Sequence, residues 1–190
     1  MDSYDDIRQR YRPKQITMLL IAESPPPAAG MQSSRQFYRS DRVRAEDRLF
    51  TNTMRALYPE AAAIQDPGLE QQKEQWLRKF QQDGWYMIEA LEESQVHEVT
   101  KKQRQQRIRE SLPRLIGRVR ELAGPQTGII LIKSNVFDVA AEPLRQAGFT
   151  VLNTELVDYP GRFNQRAYKE KLATLTSKHQ QAISSDRPGL

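Results

Sequence analysis

Three short segments hold the side chains of this sequence best suited to chemistry. Glu23 follows the apolar run Ile16-Thr17-Met18-Leu19-Leu20-Ile21-Ala22 and precedes Ser24-Pro25-Pro26-Pro27. A proline run fixes the local backbone, as a catalytic carboxylate needs. Lys133-Ser134-Asn135 closes a second apolar run, Gly128-Ile129-Ile130-Leu131-Ile132. A strand-to-helix junction there would present unpaired backbone N–H groups to a phosphate or a base edge. In the third segment, Asp158-Tyr159-Pro160-Gly161-Arg162, Arg162 can reach a phosphate while Tyr159 stacks or hydrogen-bonds. Each segment also has a plainer reading: an exposed loop acid at Glu23, N-capping by Ser134 or Asn135, and a turn with a surface arginine. Phe37 and Tyr38 stand between Arg35 and Arg39, a mixture of aromatics and cations suited to nucleic acid.

The elements around these segments alternate between strand and helix. Ile16–Ala22 is an unperiodic apolar run and reads as a buried strand, as do Trp85–Ile88, Gly128–Lys133 and Phe149–Asn153. Between them, Leu49, Phe50, Thr53, Met54 and Leu57 recur at helical spacing within 43–57, and Leu69, Trp76, Leu77 and Phe80 share one face of a helix that stops near Asp83-Gly84. Glu89, Glu92 and Glu93 then leave the core. A long helix over Thr100–Leu122 carries the stripe Ile108, Leu112, Leu115, Ile116, Val119 and Leu122, with a basic opposite face that reads first as solvated. Ser134-Asn135 starts a helix closed by Gly148, and a last helix runs from Asn164 to Ser177. Strands separated by helices imply right-handed crossovers. The expected fold class is α/β, a three-layer α/β/α arrangement with a central four-stranded parallel sheet, as one domain over residues 1–178 and a flexible tail over 179–190. Ligands of such sheets bind beyond the carboxyl ends of the strands, where these three segments and a fourth, Glu89 to Glu93, fall.

Composition narrows the chemistry. The chain has 190 residues, the length of one ordinary domain, and 29 Lys and Arg against 24 Asp and Glu give a net charge of +5. That balance favours anionic partners. No cysteine is present, which removes disulfides, thiolate nucleophiles and cysteine-ligated metal centres. His97 and His179, the two histidines, read as solvated surface groups, so no metal and no cofactor is expected. Neither a signal peptide nor a membrane span is apparent, and a cytoplasmic location is expected. The phosphate-loop, dinucleotide and nucleophile-elbow fingerprints are missing.

In this order of motifs the chain resembles the uracil-DNA glycosylase superfamily. Members end the first strand in a short acid-or-Asn motif with a proline, to which Ile21-Ala22-Glu23-Ser24-Pro25-Pro26 is similar, and end the last strand in a His-Pro-Ser type loop, where Asp158-Tyr159-Pro160-Gly161-Arg162 stands here. The similarity in order covers most of residues 16–176, with Tyr159 in place of the family's histidine and no iron–sulfur cysteines. The resemblance implies a DNA-binding protein that hydrolyses the N-glycosidic bond of uracil or a damaged base. Glu23 would position or activate water, with Tyr159 and Asn135 near it. Phe37 or Phe50 would stack on a flipped base, Ser24, Pro25, Lys133 and Ser134 would line the substrate site, and Arg162 would hold backbone phosphate. Two alternatives stand beside it: a non-catalytic nucleic-acid or protein-binding module on the same fold, and a small-molecule enzyme that shares only the sheet. The oligomeric state stays open.

Overall fold

A computed structural model describes residues 3–25, 36–40, 47–65, 67–93 and 100–185. The apolar runs form strands β1 (Met18–Ala22), β2 (Trp85–Glu89), β3 (Gly128–Leu131) and β4 (Thr150–Val151). All pair in parallel, in the order β2-β1-β3-β4. β1, β2 and β3 are buried along their whole length, as strands covered on both faces must be. The helices are α1 (Tyr4–Gln9), α2 (Arg48–Leu57), α3 (Pro59–Ala62), α4 (Gly68–Gln71), α5 (Lys73–Gln82), α6 (Lys101–Leu122), α7 (Ser134–Gln146) and α8 (Gln165–Ser185).

α6 packs on α7, and α2 packs on α8. The connection from β1 to β2 runs one way along the sheet and that from β3 to β4 runs the other, so right-handed crossovers place their helices on opposite faces. Three layers result. Strand order therefore reverses between β1 and β3, whose carboxyl ends define the crevice in which such sheets hold ligands. The β1–β2 register pairs Ala22 with Glu89, and beyond it the Leu91 N–H donates to the Glu23 carbonyl at 2.9 Å. Glu23 is thus tethered to the neighbouring chain just where β1 ends.

Two side chains complete the sheet where backbone does not. β2 is an edge strand, and the Tyr38 hydroxyl accepts from the Met87 N–H at 2.7 Å and donates to the Met87 carbonyl at 3.3 Å. That satisfies edge groups which would otherwise stay unpaired. At the other edge β4 is shorter than the expected Phe149–Asn153. Asn153 turns its side chain onto Leu131, accepting from the N–H at 3.0 Å and donating to the carbonyl at 3.1 Å, and so replaces the backbone pairing of the last strand residues.

Other elements depart from expectation for local reasons. Ser3 and Asp6 form a capping box that starts α1, a helix too short for its periodicity to be read. The helix expected over 43–57 begins at Arg48, capped by the Asp47 side chain, with 43–46 outside the described residues. Pro59 at the first position of α3 starts another short helix that the pattern did not reveal. The last helix, expected to end near Ser177, continues as α8 to Ser185, while 186–190 lie outside the described residues. His179 is buried rather than solvated, with Nε2 3.1 Å from the Gln126 carbonyl; His97 lies outside the described residues. No described helix is long and apolar enough to cross a membrane.

A candidate active site at the strand ends

The ends of β1, β2 and β3, with the chain that follows β4, enclose a cavity of about 310 Å3. Glu23, Ser24 and Pro25 line it from β1, Lys133 from β3, and Tyr159 from the segment after β4. That last segment is drawn in by a parallel bridge between Ile132 and Val157 and by the Lys133 N–H, which donates to the Val157 carbonyl at 2.8 Å. Residues far apart in sequence therefore share one opening.

Glu23 is 5% exposed. Asn135 Nδ2 donates to its Oε1 at 2.8 Å, the Lys133 ammonium donates to its Oε2, and an Arg104 nitrogen stands 3.6 Å from the same Oε2. These groups supply the hydrogen bonds and compensating charge that a buried carboxylate requires. Simple capping by Ser134 or Asn135 is overturned. Lys133 occupies the cap position of α7 without a side-chain cap bond, and Ser134 and Asn135 are its first helical residues. Asn135 instead spends its amide on Glu23, and its buried Oδ1 has no hydrogen-bond partner. Ser134 is half-buried beside the cavity rather than in its wall.

Lys133 has φ 80° and ψ 142°, and among the described residues it is the non-glycine residue with positive φ. That region is nearly reserved for glycine and costs a side-chain-bearing residue about 1–3 kcal/mol. The strain follows from turning β3 directly into α7. The Lys133 N–H is fixed on Val157 while its carbonyl accepts from the Val136 and Phe137 N–H groups at 3.1 and 3.0 Å.

A second carboxylate faces the same cavity. Glu89, expected to leave the core, is 4% exposed. Its Oε1 accepts from the Tyr4 hydroxyl at 2.8 Å and its Oε2 from the Arg8 guanidinium at 2.7 Å. Burial pushes the Glu89 carboxyl above its ordinary range against the opposing pull of Arg8. Sequence reasoning missed Tyr4 and Arg8, which point the same way because they stand four apart on α1. The Ser3-x-x-Asp6 capping signature was the available signal.

The aromatic candidates separate. Phe37 lines the cavity, backed edge-on by Phe50 with ring centroids 5.9 Å apart. Phe50 is fully buried behind it and has no face on the cavity, so its expected stacking role is corrected to core support. Lys73 ties this region down by donating to the Gln36 carbonyl and to Asp47, each at 2.9 Å. Arg162 does not line the cavity; its guanidinium lies 5.7 Å from the Phe163 ring centroid. Tyr159 at 43% and Phe163 at 89% are the large hydrophobic side chains exposed among the described residues. Tyr159 lines the cavity and Phe163 lies four residues further along the same segment; Phe163 went unnoticed in the sequence because an aromatic usually signals core.

No family model, no curated protein and no solved structure matches this chain. The site is therefore read from its own chemistry. Among the described residues no cluster of three or more histidine, aspartate or glutamate side chains is arranged to hold a metal ion. What the cavity does bring together is an oriented carboxylate, an amine, a second buried carboxylate and an aromatic wall. Such a set can bind a planar, polar ligand and move protons at one edge of it.

Proposed function

We propose that the cavity receives a nucleotide extruded from a DNA strand and that Glu23 activates the water that breaks its N-glycosidic bond. The observation that carries this reading is the buried Glu23 carboxylate at the β1–β3 crevice, held by Asn135 on one oxygen and Lys133 on the other. A carboxylate so fixed takes a proton from water as the water oxygen bonds to the sugar carbon. The base departs with the pair of the broken C–N bond and takes a hydrogen bond from the hydroxyl of Tyr159, which lines the cavity. Phe37 offers the stacking wall that reading of a flipped base needs. The exposed Tyr159, Phe163 and Arg162 offer stacking and phosphate contacts to the flanking strand. This is the activity that the resemblance to the uracil-DNA glycosylase superfamily implies.

The test uses oligonucleotides carrying uracil, hypoxanthine, xanthine or alkylated bases, single- and double-stranded, with alkaline cleavage of abasic sites. Product from the wild-type protein that falls by about 10²–10⁴-fold in Glu23→Gln supports the reading, that being the usual contribution of a general base. Product on no substrate, or product unaffected by the substitution, rejects it. A second reading, a non-catalytic nucleic-acid-binding module, is favoured by the two cations, Lys133 and Arg104, that flank Glu23. Its signature is binding that weakens steeply with salt and yields no product.

A further inference from the structure

We infer that Lys133 is a nucleophile that forms an imine with an aldehyde held in the cavity. The inference begins with the backbone. Lys133 keeps a conformation, φ 80° and ψ 142°, that glycine would adopt without strain. Strain of this kind persists where the surroundings over-determine a side chain's position, and it gathers at functional sites. A counter-charge for Glu23 does not require it, because Arg104 already stands 3.6 Å from the same carboxylate oxygen.

The side chain itself is placed for attack. Lys133 lines the cavity and its side chain is 35% exposed, whereas that of its partner Glu23 is 5% exposed. The amine therefore reaches a ligand that the carboxylate meets only at the cavity floor. The hydrogen-bonded Glu23 carboxylate serves as the adjacent general base by which such a nucleophile is activated. The ammonium gives a proton to Glu23, the Nζ lone pair bonds to the aldehyde carbon, and the carbonyl π pair moves to oxygen. Proton transfers through Glu23 carry Nζ protons to that oxygen, which leaves as water while nitrogen's pair closes the C=N bond. Ammonium and aldehyde thus become iminium and water, with no oxidant or reductant consumed. The aldehyde class is an open-chain deoxyribose, which hydrolysis of an N-glycosidic bond uncovers; for this source of aldehyde the inference rests on the proposed function.

The experiment supplies the aldehyde independently. The full chain is mixed with an oligonucleotide whose abasic site was made beforehand by another enzyme. Borohydride is then added to reduce any iminium to a stable amine, and adducts are resolved on a denaturing gel and mapped by peptide mass spectrometry. The expected result is a covalent adduct on Lys133 that falls more than tenfold in Lys133→Arg, which keeps a cation facing Glu23, and in Lys133→Gly, which suits the backbone. Absence of an adduct, an adduct mapped to another amine, or an adduct undiminished in a folded variant overturns the inference. Base release without trapping rejects the imine and leaves the glycosidic reading standing. Trapping on the preformed abasic site without base release does the opposite.

Discussion

Lys133, at the end of β3, donates to Glu23, at the end of β1, across 110 positions of sequence. The contact spans the two strands between which the sheet order reverses. It therefore places a cation and a carboxylate in the crevice that doubly covered parallel sheets offer to ligands.

Because the Lys133 backbone is strained, its replacement is expected to show a reversed glycine effect. Lys133→Gly is expected to be more stable than Lys133→Ala by about 1 kcal/mol or more, since alanine inherits the positive φ and glycine does not. Urea midpoints of the two variants measure this directly. Equal midpoints would mean the turn from β3 into α7 relaxes when the lysine is removed.

Asn135 acts on Glu23 through one hydrogen bond of 2.8 Å. Asn135→Ala removes that bond and leaves Glu23 Oε1 without its amide donor, so the carboxylate is no longer held in one orientation. The kcat for base release is expected to fall by about tenfold or more with KM little changed, because orientation and not binding is lost. An unchanged kcat would remove Asn135 from the positioning of Glu23.

Glu89 predicts a pH dependence of stability. Its folded pKa is raised above 4.5 by burial, so the neutral form is favoured by folding. The stabilisation is full below the unfolded pKa and is lost as pH rises through the folded value. Glu89→Gln carries no such loss. The stability of wild type relative to Glu89→Gln, from urea melts between about pH 4 and about pH 7, is expected to fall with rising pH. A flat difference would show that Arg8 fully compensates the buried carboxylate.

Lys73 and Asp47 form a buried pair at 2.9 Å, with side chains 5% and 3% exposed. Lys73→Met leaves Asp47 charged and buried, which costs roughly 3–5 kcal/mol. It also frees the Gln36 carbonyl next to Phe37. A lower urea midpoint accompanied by weaker ligand binding at the Phe37 wall is expected; an unchanged midpoint would mean Asp47 finds another partner.

Gly128 tests the packing of the far half of α8. A methyl group there would lie 2.7 Å from Leu152 Cδ1 and 2.8 Å from the His179 ring. Gly128→Ala is expected to destabilise by about 1–3 kcal/mol through overpacking, read from the shift in thermal midpoint. No shift would show that the His179 end of α8 moves away at little cost.

The strands were legible from sequence because burial on both faces needs unbroken apolar runs, and Met18–Ala22 and Gly128–Leu131 are such runs. α6 was legible because Ile108, Leu115 and Val119 recur on one face, and all three are buried. Glu23, Lys133 and Asn135 could be singled out as strand-end residues by position alone. Their meeting could not, because the pairing of β1 with β3 rather than with β4 is a property of the whole sheet. Short-range pattern was also silent wherever a polar residue is buried against a distant partner, as Glu89 is against Tyr4 and Arg8. Phe50 is the converse case, an aromatic whose type suggested stacking and whose place behind Phe37 makes it core. Sequence determines which segments must be buried, since that depends on local composition. Which side chains then face one another depends on strand order, crossover hand and long-range hydrogen bonds, and these exist only in the folded chain.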